Sequence, residues 1–436
     1  MRRPHPSPHA CRVGLVLALA LLAGAPGRAA AGGVLLYEVG TSDVGLASAG
    51  YGARAQDAST VLTNPAGMAR LGGANLLVGA QFLYADLAFT PGEGTSPGLG
   101  TENGGNPVGW FPGGGAFFSY GITPDVAVGL AAAGTFGMAL GYEEGWVGRY
   151  YAQEATLVGI SLLPSASWRI GPVSIGASLN AMYGVFDQQV AINSVTAPDG
   201  RLALDDTTWG YGAKVGVLWE PGPRTRVGLT WDSPVSLDFG ATPEFTNLTP
   251  ALEALLEARG LTTASVDLGI TVPQAFMASA FQQLNEKVAL LASVGWQQWS
   301  EFGMVEAGLS DTSDPSSVTA DLGFDDTWHG ALGAQFWPSA AVRLDVGVAY
   351  DSSFQDASNV SPLLPADAAW RFGAGVRWQA SEKIGLGFAA EYAYGGTLEV
   401  NRQSTVPPAT GGRGDLVGSY SDASTTFLAV NVEWKP

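Results

Sequence analysis

The sequence has very few of the residues on which catalytic and metal-binding sites commonly depend. Cys11 is the single cysteine among 436 residues, and His329 is the only histidine beyond position 9. Cys11 and the other two histidines lie in a segment that we expect to be cleaved. The mature chain then has no disulfide or thiol chemistry, and a histidine-rich metal site is excluded. We therefore expect no catalytic residue, no metal and no cofactor.

Charge is scarce and one-sided. Charged residues make up 14% of the chain, with 39 acidic against 21 basic residues and a formal net charge of −18. A nucleic-acid partner needs a basic surface that neutralises phosphates, so we expect no nucleic acid. Carboxylate pairs such as Asp205-Asp206 fall in or beside predicted loops, and we interpret them as solvated surface.

Long apolar runs are also missing, except at the start of the chain. Residues 13–25 are apolar, follow Arg2, Arg3 and Arg12, and precede three alanines at 29–31. A basic start, a short apolar core and small residues at the end predict a signal peptide over residues 1–31. Its removal takes the net charge to −22, because four arginines and no acidic residue leave with it.

From residue 75 onward, bulky apolar residues alternate with small or polar ones. In residues 342–351, Val, Leu or Tyr stands at every second position, with Arg343 and Asp345 between them. One face for lipid and one for a lumen is typical of a transmembrane β-barrel strand. Without an apolar helical span, a membrane protein must close a sheet to satisfy its backbone. We predict an all-β fold, a transmembrane antiparallel β-barrel of about 14 strands. The predicted strands are residues 75–89, 113–121, 125–138, 154–170, 173–192, 206–220, 224–240, 265–282, 287–306, 321–337, 341–354, 368–380, 383–399 and 418–434.

The predicted connections alternate in length. Tight turns such as residues 121–124 and 220–223 alternate with long connections such as 90–112 and 241–264. Short periplasmic turns opposite long external loops place both chain ends on the periplasmic side. A soluble β-propeller would show a repeat of fixed period, and the sequence has none. Four tryptophans fall at the periplasmic end, as an aromatic girdle would: Trp219, Trp337, Trp378 and Trp434.

Residues 44–71 do not follow the strand pattern. They are rich in glycine and alanine, which permit close packing and unusual backbone angles, and they have neither a helical nor a strand period. Small, irregular sequence is suited to packing inside another structure. We predict that residues 32–74 form a plug, or hatch, within a barrel of residues 75–436.

Four hatch residues are assigned to gating: Asp57, Asn64, Pro65 and Ala66. Pro65 restricts its own backbone and that of Asn64, which gives a rigid corner, and the Asn64 amide can bond nearby backbone groups. A plain structural turn is the alternative interpretation. Asp57 is predicted to pair with an arginine of the barrel interior, either as a gate or as a buried ion pair. The candidate partners are Arg343, Arg371 and Arg377.

One external loop predicts a helix over residues 249–260. Thr249 is a good N-cap, Pro250 suits the first helical position, and Gly260 can end the helix. We predict that its apolar face is an external capture surface for a hydrophobic ligand. Packing on a neighbouring loop is the alternative. The residues of this face are Leu252, Leu255 and Leu256.

These features resemble the FadL-type family of outer-membrane transporters for long-chain fatty acids and aromatic hydrocarbons. The resemblance covers essentially the whole mature chain, and residues 57–60 and 64–68, with their Asn-Pro-Ala triplet, are similar to the family's hatch. Residues 146–150 and 299–302 support it. The resemblance implies a fourteen-stranded barrel plugged by an N-terminal hatch. The chain departs from the family in ending Trp434-Lys435-Pro436, whereas outer-membrane barrels often end in an aromatic residue.

The resemblance also implies an apolar pocket lined by the N-terminal segment, by the third strand and by the loop after it. The implied ligand-binding residues are Val34, Leu36, Tyr37, Phe136, Met138, Trp146, Arg149 and Tyr150. Arg149 is a candidate to hold a carboxylate, and an exposed structural arginine is the alternative. The family's route leaves sideways through a gap in the barrel wall, and no nucleotide-binding motif is present to supply energy.

We therefore predict an outer-membrane transport protein for hydrophobic compounds, in a Gram-negative-type bacterium. Its expected partners are a hydrophobic small molecule, outer-membrane lipid and lipopolysaccharide, and it is expected to act as a monomer. A structural or adhesive barrel with partner-binding loops is the alternative. An outer-membrane enzyme would need a nucleophile paired with His329, and no serine motif stands out. A general porin would be obstructed by a plug.

Overall fold

The computed structural model describes residues 37–195, 198–258, 262, 266–302 and 323–436. The predicted signal peptide, Val34 and Leu36 lie outside the described residues. The described strands are, in chain order, β1 (Ala74–Asp86), β2 (Phe89–Pro91), β3 (Gly109–Gly121), β4 (Val126–Gly141), β5 (Glu154–Ile170), β6 (Val173–Ile192), β7 (Gly200–Gly222), β8 (Thr225–Asp232), β9 (Val235–Ala241), β10 (Glu244–Thr246), β11 (Val266–Val272), β12 (Ala275–Gln283), β13 (Val288–Gln297), β14 (Thr327–Ser339), β15 (Val342–Asp351), β16 (Ala369–Gln379), β17 (Ile384–Arg402) and β18 (Leu416–Trp434). The α-helices are α1 (Thr41–Gly45), α2 (Thr60–Thr63) and α3 (Pro250–Ala258), and 3₁₀ helices cover Pro65–Arg70, Pro97–Leu99, Trp299–Glu301 and Pro408–Thr410. Within these ranges, no helix has the length and apolar character needed to span a membrane.

Fourteen of the strands form one closed antiparallel wall, which confirms the predicted fold class. Each wall strand pairs with its neighbours along the chain, and β1 closes on β18 from Leu76 opposite Trp434 onward. The alternation has the predicted direction, because Val346 and Phe388 are exposed on the lipid face while Asp345 is buried inside. The wall strands are β1, β3–β8 and β12–β18.

Two predicted strands are wrong in extent. Residues 224–240 and 265–282 were each expected to be one wall strand, but each divides into two. The breaks lie at Ser233-Pro234 and Pro273-Gln274, because proline has no N–H with which to continue the ladder. The outer pieces, β9 and β11, pair only with each other as a separate hairpin. This hairpin packs against the inner face of the wall, where Leu237 contacts Gly184 and Gly210.

Other predicted bounds differ by a few residues. β7 begins at Gly200 rather than at 206, so the loop before it is shorter than predicted. β3 begins at Gly109 rather than at 113. The predicted strand 287–306 is too long, because β13 ends at Gln297 and residues Trp299–Glu301 form a 3₁₀ helix. The predicted strand 321–337 begins too early, because residues 323–326 are not in a strand and β14 begins at Thr327. Residues 303–322 lie outside the described ranges.

Aromatic side chains form a belt at each end of the lipid-facing surface. Trp219, Trp378 and Trp434 are exposed at the end that carries the short turns, as predicted. The opposite end has a second belt, in which rings on neighbouring strands contact each other, as in Tyr350 and Trp370 with ring centres 5.0 Å apart. Amphipathic rings at both levels mark the two membrane–water interfaces.

The hatch fills the lumen. Every residue from 37 to 69 is buried except Gln56, which is half-buried. As predicted, its small residues adopt unusual backbone angles, with positive φ at Ala47, Ala55 and Gly50. The chain can pack this closely only because the wall has no side chain at the contact points. At Gly216 and Gly228, for example, an added methyl group would lie 2.0 Å from a hatch oxygen. Inward glycines that contact residues 41–68 of the hatch, here called the glycine seat, are Gly129, Gly176, Gly216, Gly228, Gly333, Gly347, Gly373, Gly375 and Gly387.

Candidate ligand pathway

Asn64 fastens the hatch to the wall. Its Nδ2 donates to the carbonyl of Gly52, at 2.6 Å, and to the carbonyl of Val217 in β7, at 3.1 Å. Its Oδ1 accepts from the N–H of Ala66 at 3.1 Å and caps the 3₁₀ helix that begins at Pro65. All the polar atoms of the side chain are therefore used, as burial requires. Asn64, Pro65 and Ala66 belong to the hatch and dock it on β6 and β7; their predicted gating role stays a prediction.

The predicted pairing of Asp57 with a barrel arginine is wrong for the described residues. The Asp57 carboxylate accepts from the backbone N–H of Ser59 at 3.0 Å and from its hydroxyl. Burial alone would raise the pKa of Asp57, but the charge of Arg54 and the bonds from Ser59 outweigh burial and lower it. The buried ion pair of the hatch is instead internal, between Arg54 and Asp43 at 2.7 Å.

The three candidate arginines contact other groups. Arg343 pairs with Asp345 on its own strand and donates to Ser42 and Gln56 of the hatch. Arg377 pairs with Glu433 at the periplasmic end. The prediction is wrong because other groups occupy these guanidinium groups: Asp345, Ser42 and Gln56 for Arg343, and Glu433 for Arg377.

Two inward serines, which the sequence reasoning missed, hold the middle of the hatch. Ser293 Oγ accepts from the N–H groups of Gly50 and Tyr51 at 2.9 and 3.2 Å, and Ser279 Oγ accepts from Gly52 at 3.0 Å. The two hydroxyls are themselves 3.0 Å apart. Their signal in the sequence is only a small polar residue on the lumen face of β12 and β13.

Above the hatch, the lumen is apolar. Phe136 and Met138 on β4 are fully buried there, and the ring of Phe136 lies 6.0 Å from that of Phe302. The hairpin of β9 and β11 adds buried side chains such as Phe239 and Ile270. The predicted placement of Phe136 and Met138 toward the lumen therefore agrees with the structure.

A cavity of about 170 Å³ lies beside Tyr37. Tyr37 is buried at its floor, accepts a hydrogen bond from Gln297 and lies 4.7 Å from the ring of His329. It is the described member of the predicted N-terminal pocket segment. Apolar side chains that line this Tyr37 cavity include Leu87, Trp299, Phe354, Leu398 and Phe427.

One wall of the Tyr37 cavity carries a charged cluster centred on Arg371. Its Nε lies 2.7 Å from Glu391 and its Nη1 lies 3.1 Å from Asp351, while Nη2 pairs with Glu38. Asp351 also bonds His329 Nδ1 at 2.6 Å. Arg371 does link the wall to the N-terminal segment, as a barrel arginine was expected to, but its partner there is Glu38 rather than Asp57.

A smaller cavity of about 70 Å³ lies between Tyr37 and the wall under the hairpin. Thr135 lines it on one side and Lys214 on the other. Lys214 is buried and pairs with Asp232 at 2.7 Å, in the last paired positions of β7 and β8. This cavity extends the space beside Tyr37 toward β4.

The wall is open where this second cavity meets β4. Pairing between β3 and β4 ends at Gly115 opposite Ala133, so the outer halves of the two strands are not joined. Two local features of β3 cause the break. Pro112 has no N–H to donate, and Gly114, at φ +152°, takes a backbone conformation that L side chains rarely adopt. On the other side of the opening, β4 has a bulge at Thr135.

Trp146, Arg149 and Tyr150 lie in the outer loops, away from the Tyr37 cavity. Trp146 is fully buried, stacks on Tyr142 with ring centres 3.7 Å apart, and donates to the carbonyl of Ala152. Arg149 pairs with Asp199 at 2.6 Å and donates to the carbonyl of Leu99. This geometry favours the structural interpretation of Arg149, because a protein carboxylate already occupies it.

Tyr150 contacts the same acidic residue. Its hydroxyl donates to Asp199 at 2.7 Å. Burial, together with this bond, raises the pKa of Tyr150 to about 12. The tyrosine is therefore a neutral hydrogen-bond donor at any physiological pH.

The external helix α3 forms with its predicted N-cap, since Thr249 Oγ1 accepts from the N–H of Leu252. The predicted apolar face is divided. Leu256 is buried, Leu255 is 45% exposed, and Leu252 lines an outer cavity of about 200 Å³ with Tyr150. Leu256 is therefore not available at the surface, and the predicted capture surface, which stays a prediction, is limited to Leu252 and Leu255.

Comparison with known proteins gives a consistent result. Residues 22–435 match the family described as "Outer membrane protein transport protein (OMPP1/FadL/TodX)". The long-chain fatty acid transport protein of Escherichia coli O6:H1 is 25% identical over 411 residues, which cover 87% of this chain and 90% of that protein. The 47 kDa outer membrane protein of Pasteurella multocida is 28% identical over 397 residues, or 86% and 90% of the two chains.

Solved structures share the fold. A Pseudomonas aeruginosa FadL homologue superimposes with a TM-score of 0.77 at 19% identity, over 92% of this chain and 99% of that one. The Ralstonia pickettii toluene transporter TbuX gives a TM-score of 0.61 at 15% identity, over 91% and 98%.

A closed, lipid-facing β-barrel with a plug docked in its lumen defines a plugged outer-membrane channel. The chain belongs to the FadL/TodX family of outer membrane transport proteins, which its sequence matches over almost its full length. The family consists of transport channels rather than enzymes, and its members are outer membrane proteins of Gram-negative bacteria. The resemblance stated from the sequence is thereby confirmed.

Proposed function

We propose that this chain carries hydrophobic compounds across the outer membrane by binding and diffusion. The observation that supports this most is one continuous apolar cluster that reaches from the external loops to the hatch. It includes Leu99 and Trp146 of the loops, Phe136 and Phe427 of the wall, and Val44 of the hatch. A water-filled pore serves such cargo poorly, since returning apolar surface to water costs roughly 25 cal/mol per Å². The relatives named above for fatty-acid and toluene transport support the same cargo class.

The cavities suggest a route. Ligand is captured at the outer cavity beside Leu252, crosses the apolar upper lumen and reaches the Tyr37 cavity. From there the smaller cavity leads to Thr135, where the wall between β3 and β4 is open. Exit is then lateral, into the bilayer, so the cargo never has to pass through the hatch into water.

We further propose the domain bounds and surroundings expected from the sequence. Residues 1–31 are a signal peptide, residues 32–74 the hatch and residues 75–436 the barrel. The outer face contacts lipid and lipopolysaccharide between the two aromatic belts. The described wall strands close on themselves through β1 and β18, so the wall offers no free sheet edge to a second copy, which supports a monomer.

Uptake measurements test the proposal. Cells without a hydrophobe channel of their own would express the full chain, and uptake of a labelled long-chain fatty acid and of labelled toluene would be followed. Saturable uptake of either compound above empty-vector cells is expected. Neither compound entering faster than in the empty-vector cells, with the barrel folded in the outer membrane, would contradict the proposal.

A further inference from the structure

The ladder of the wall is interrupted at a second place, between β7 and β8. The pairing of these strands ends at Lys214 opposite Asp232, although β7 stays paired with β6 as far as Gly200. On the β8 side, residues 204–212 of β7 have no strand partner among the described residues, and β10 joins this side at Ala203. The wall therefore lacks a ladder along the outer part of β7.

The interruption arises because the chain leaves the wall here. β8 ends at Asp232 and β12 begins directly opposite at Ala275, and the hairpin of β9 and β11 between them turns into the lumen. Pro234 and Pro273 stand at the base of this hairpin and have no N–H, so no ladder continues across it. The hairpin packs behind β7, against Gly210. The wall consequently has a recess at this point, with the hairpin behind it.

A groove of about 920 Å³ lies on the lipid side of the wall next to this recess. Its lining is almost entirely apolar, and the rings of Trp231 and Phe276, with centres 6.3 Å apart, stand at its outer end. Ala278 lies in the register between Leu229 and Val294 of the two neighbouring strands. Its short side chain between two larger ones leaves a depression in the lipid-facing surface.

The inner side of the same wall segment borders the smaller cavity of about 70 Å³. Thr230, Phe276 and Met277 line both the groove and this cavity, so a single layer of the sheet separates the two spaces. Beneath the hairpin, the cavity extends from here to Thr135, beside the opening between β3 and β4. One internal space therefore has an end at each interruption of the wall.

The charged groups at this second end are already paired. Lys214 Nζ lies 2.7 and 2.9 Å from the two carboxylate oxygens of Asp232. Ser233 donates its N–H to the carbonyl of Ala213, and its Oγ accepts from the N–H of Ala213, both at 2.8 Å. Because the two opposite charges are held together, a neutral compound that passes them does not have to separate or desolvate an unpaired charge.

We propose that the groove is a second lateral port, through which neutral hydrophobic compounds dissolved in the outer leaflet enter the smaller cavity directly from the bilayer. Such compounds concentrate in lipid, since apolar surface leaves water there, so a port facing the bilayer meets more of them than the external loops do. The occupant is a free transported molecule, because a lipid chain held by its headgroup can fill the groove but cannot pass into the cavity behind it. This inference rests on the proposed function and adds an entrance to it.

Phe276 is the movable part of the partition. Its ring is 49% exposed toward lipid, and it directly follows Ala275, where the hairpin returns to the wall. Since no ladder crosses the base of the hairpin, a tilt of the hairpin separates the groove from the cavity less completely without breaking the rest of the wall. The port is thus distinct from the opening at Thr135, where the proposed exit lies.

Photolabelling of the mature protein in lipid nanodiscs tests the port. The probe is phenyl(trifluoromethyl)diazirine, a neutral single-ring compound that dissolves in the bilayer, and mass spectrometry would identify the labelled residues. We expect label on Met277 and Val235, which line the smaller cavity. Ala278→Trp fills the groove with a ring, so this inner label should fall several-fold. The matched control is Ala390→Trp in a lipid-facing groove of about 500 Å³, whose lining residues line neither the Tyr37 cavity nor the smaller cavity.

A second variant acts in the opposite direction. Phe276→Ala removes the ring at the partition, so label on Met277 should rise, whereas Phe388→Ala removes an equally exposed lipid-facing ring elsewhere and should not change it. Each of the two test variants decides the matter should the other fail to fold. Equal inner label in wild type, Ala278→Trp and Ala390→Trp would overturn the port. Label confined to lipid-facing residues would also overturn it, since the groove would then hold lipid alone.

Uptake separates this inference from the proposed function. Initial toluene uptake by cells that express Ala278→Trp should be slower than with wild type or Ala390→Trp, and some uptake should remain because the external route is intact. Uptake at the wild-type rate in Ala278→Trp cells would contradict the port and leave the proposed function standing. Wild-type cells that take up no toluene and no fatty acid faster than empty-vector cells would contradict both.

Discussion

The side-chain amide of Asn64 donates a hydrogen bond to the carbonyl of Val217, 153 residues further along the chain, at 3.1 Å. This bond joins the hatch to a wall strand from inside. It lies in the middle of the glycine seat, beside Gly216, so a polar anchor and a close backbone approach occupy the same place.

Removing this anchor should loosen the hatch without opening the barrel. Asn64→Ala deletes three hydrogen bonds and leaves the buried carbonyl of Val217 with one partner fewer, which should destabilise hatch docking by about 1–3 kcal/mol. Faster amide exchange over residues 44–71, with unchanged exchange in the wall, is the expected result. The control is Asn103→Ala, since Asn103 bonds only its own exposed turn. Equal exchange in the two variants would show that Asn64 is not an anchor.

Adding a methyl group to a glycine of the wall, within the glycine seat, should also loosen the hatch. A methyl group at Gly216 would lie 2.0 Å from Asn64 Oδ1, so Gly216→Ala must displace the hatch locally, at about 1–3 kcal/mol. Gly330→Ala is the matched control, because a methyl group there meets no atom within 4 Å. Protease cleavage within the hatch should increase only in Gly216→Ala. A resistant hatch in that variant would mean that the wall, not the hatch, adjusts.

Hatch movement can be tested with a reversible cross-link. Cβ atoms at Gly52 and Ser279 would lie 3.7 Å apart, which is suitable for a disulfide between hatch and wall. The mature chain has no other cysteine once the predicted signal peptide is removed. If the hatch must move to admit the ligand to the lateral route, as its predicted gating role requires, oxidised Gly52→Cys/Ser279→Cys should transport slowly and recover after reduction. The control is Ile192→Cys/Gly200→Cys, which joins the outer ends of two wall strands at a pair of positions whose Cβ atoms would lie 3.4 Å apart. Full transport through the oxidised hatch variant would argue against gating by this segment.

The opening between β3 and β4 can be obstructed from the lipid side. Gly134 lies just beyond the last paired residues of these strands, and nothing lies within 4 Å of a Cβ placed there. Gly134→Phe should slow release on the order of tenfold, which corresponds to about 1.4 kcal/mol of added barrier. Gly330→Phe adds the same ring at a position with equal space in a fully paired part of the wall. Equal uptake rates in the two variants would place the exit elsewhere.

Two leucines of the predicted capture surface can be compared within one helix. Leu252 lines the outer cavity and Leu255 is exposed on the same helix. Leu252→Gln should raise the half-saturating ligand concentration several-fold, because a polar group then lines the cavity without a partner. Leu255→Gln should change it little. The reverse order, measured by initial uptake rates, would show that the exposed face rather than the cavity receives the ligand.

The wall was predictable because lipid imposes a simple rule on it. Each wall strand must show apolar residues outward, so residues such as Val346 and Phe388 reveal their strand by alternation alone. The tight turns and the periplasmic tryptophans followed from local composition in the same way. The hairpin of β9 and β11 escaped prediction because it keeps the alternation of a wall strand. Only Pro234 and Pro273 mark where the chain leaves the wall.

The contacts inside the barrel were not predictable by the same reasoning. Asp57 was assigned to a barrel arginine by charge, but Arg371 pairs with Glu38 and Arg343 with Asp345. Which acid meets which arginine depends on the rotation of each strand around the barrel and on the path of the hatch. Neither leaves a periodic signal in the sequence. The opening beside β3 did have a local signal in the sequence. Pro112 is followed by three glycines, a combination that is unusual inside a strand.

The glycine seat has a consequence for how the protein is assembled. The hatch contacts glycines on β6–β8 and also on β14–β17, which lie on opposite sides of the ring. It directly precedes β1, the strand that must meet β18 to complete the ring. A segment held from both sides cannot be threaded into a finished cylinder. We therefore expect the hatch to act as an internal template, around which the two halves of the sheet acquire their curvature before the seam closes.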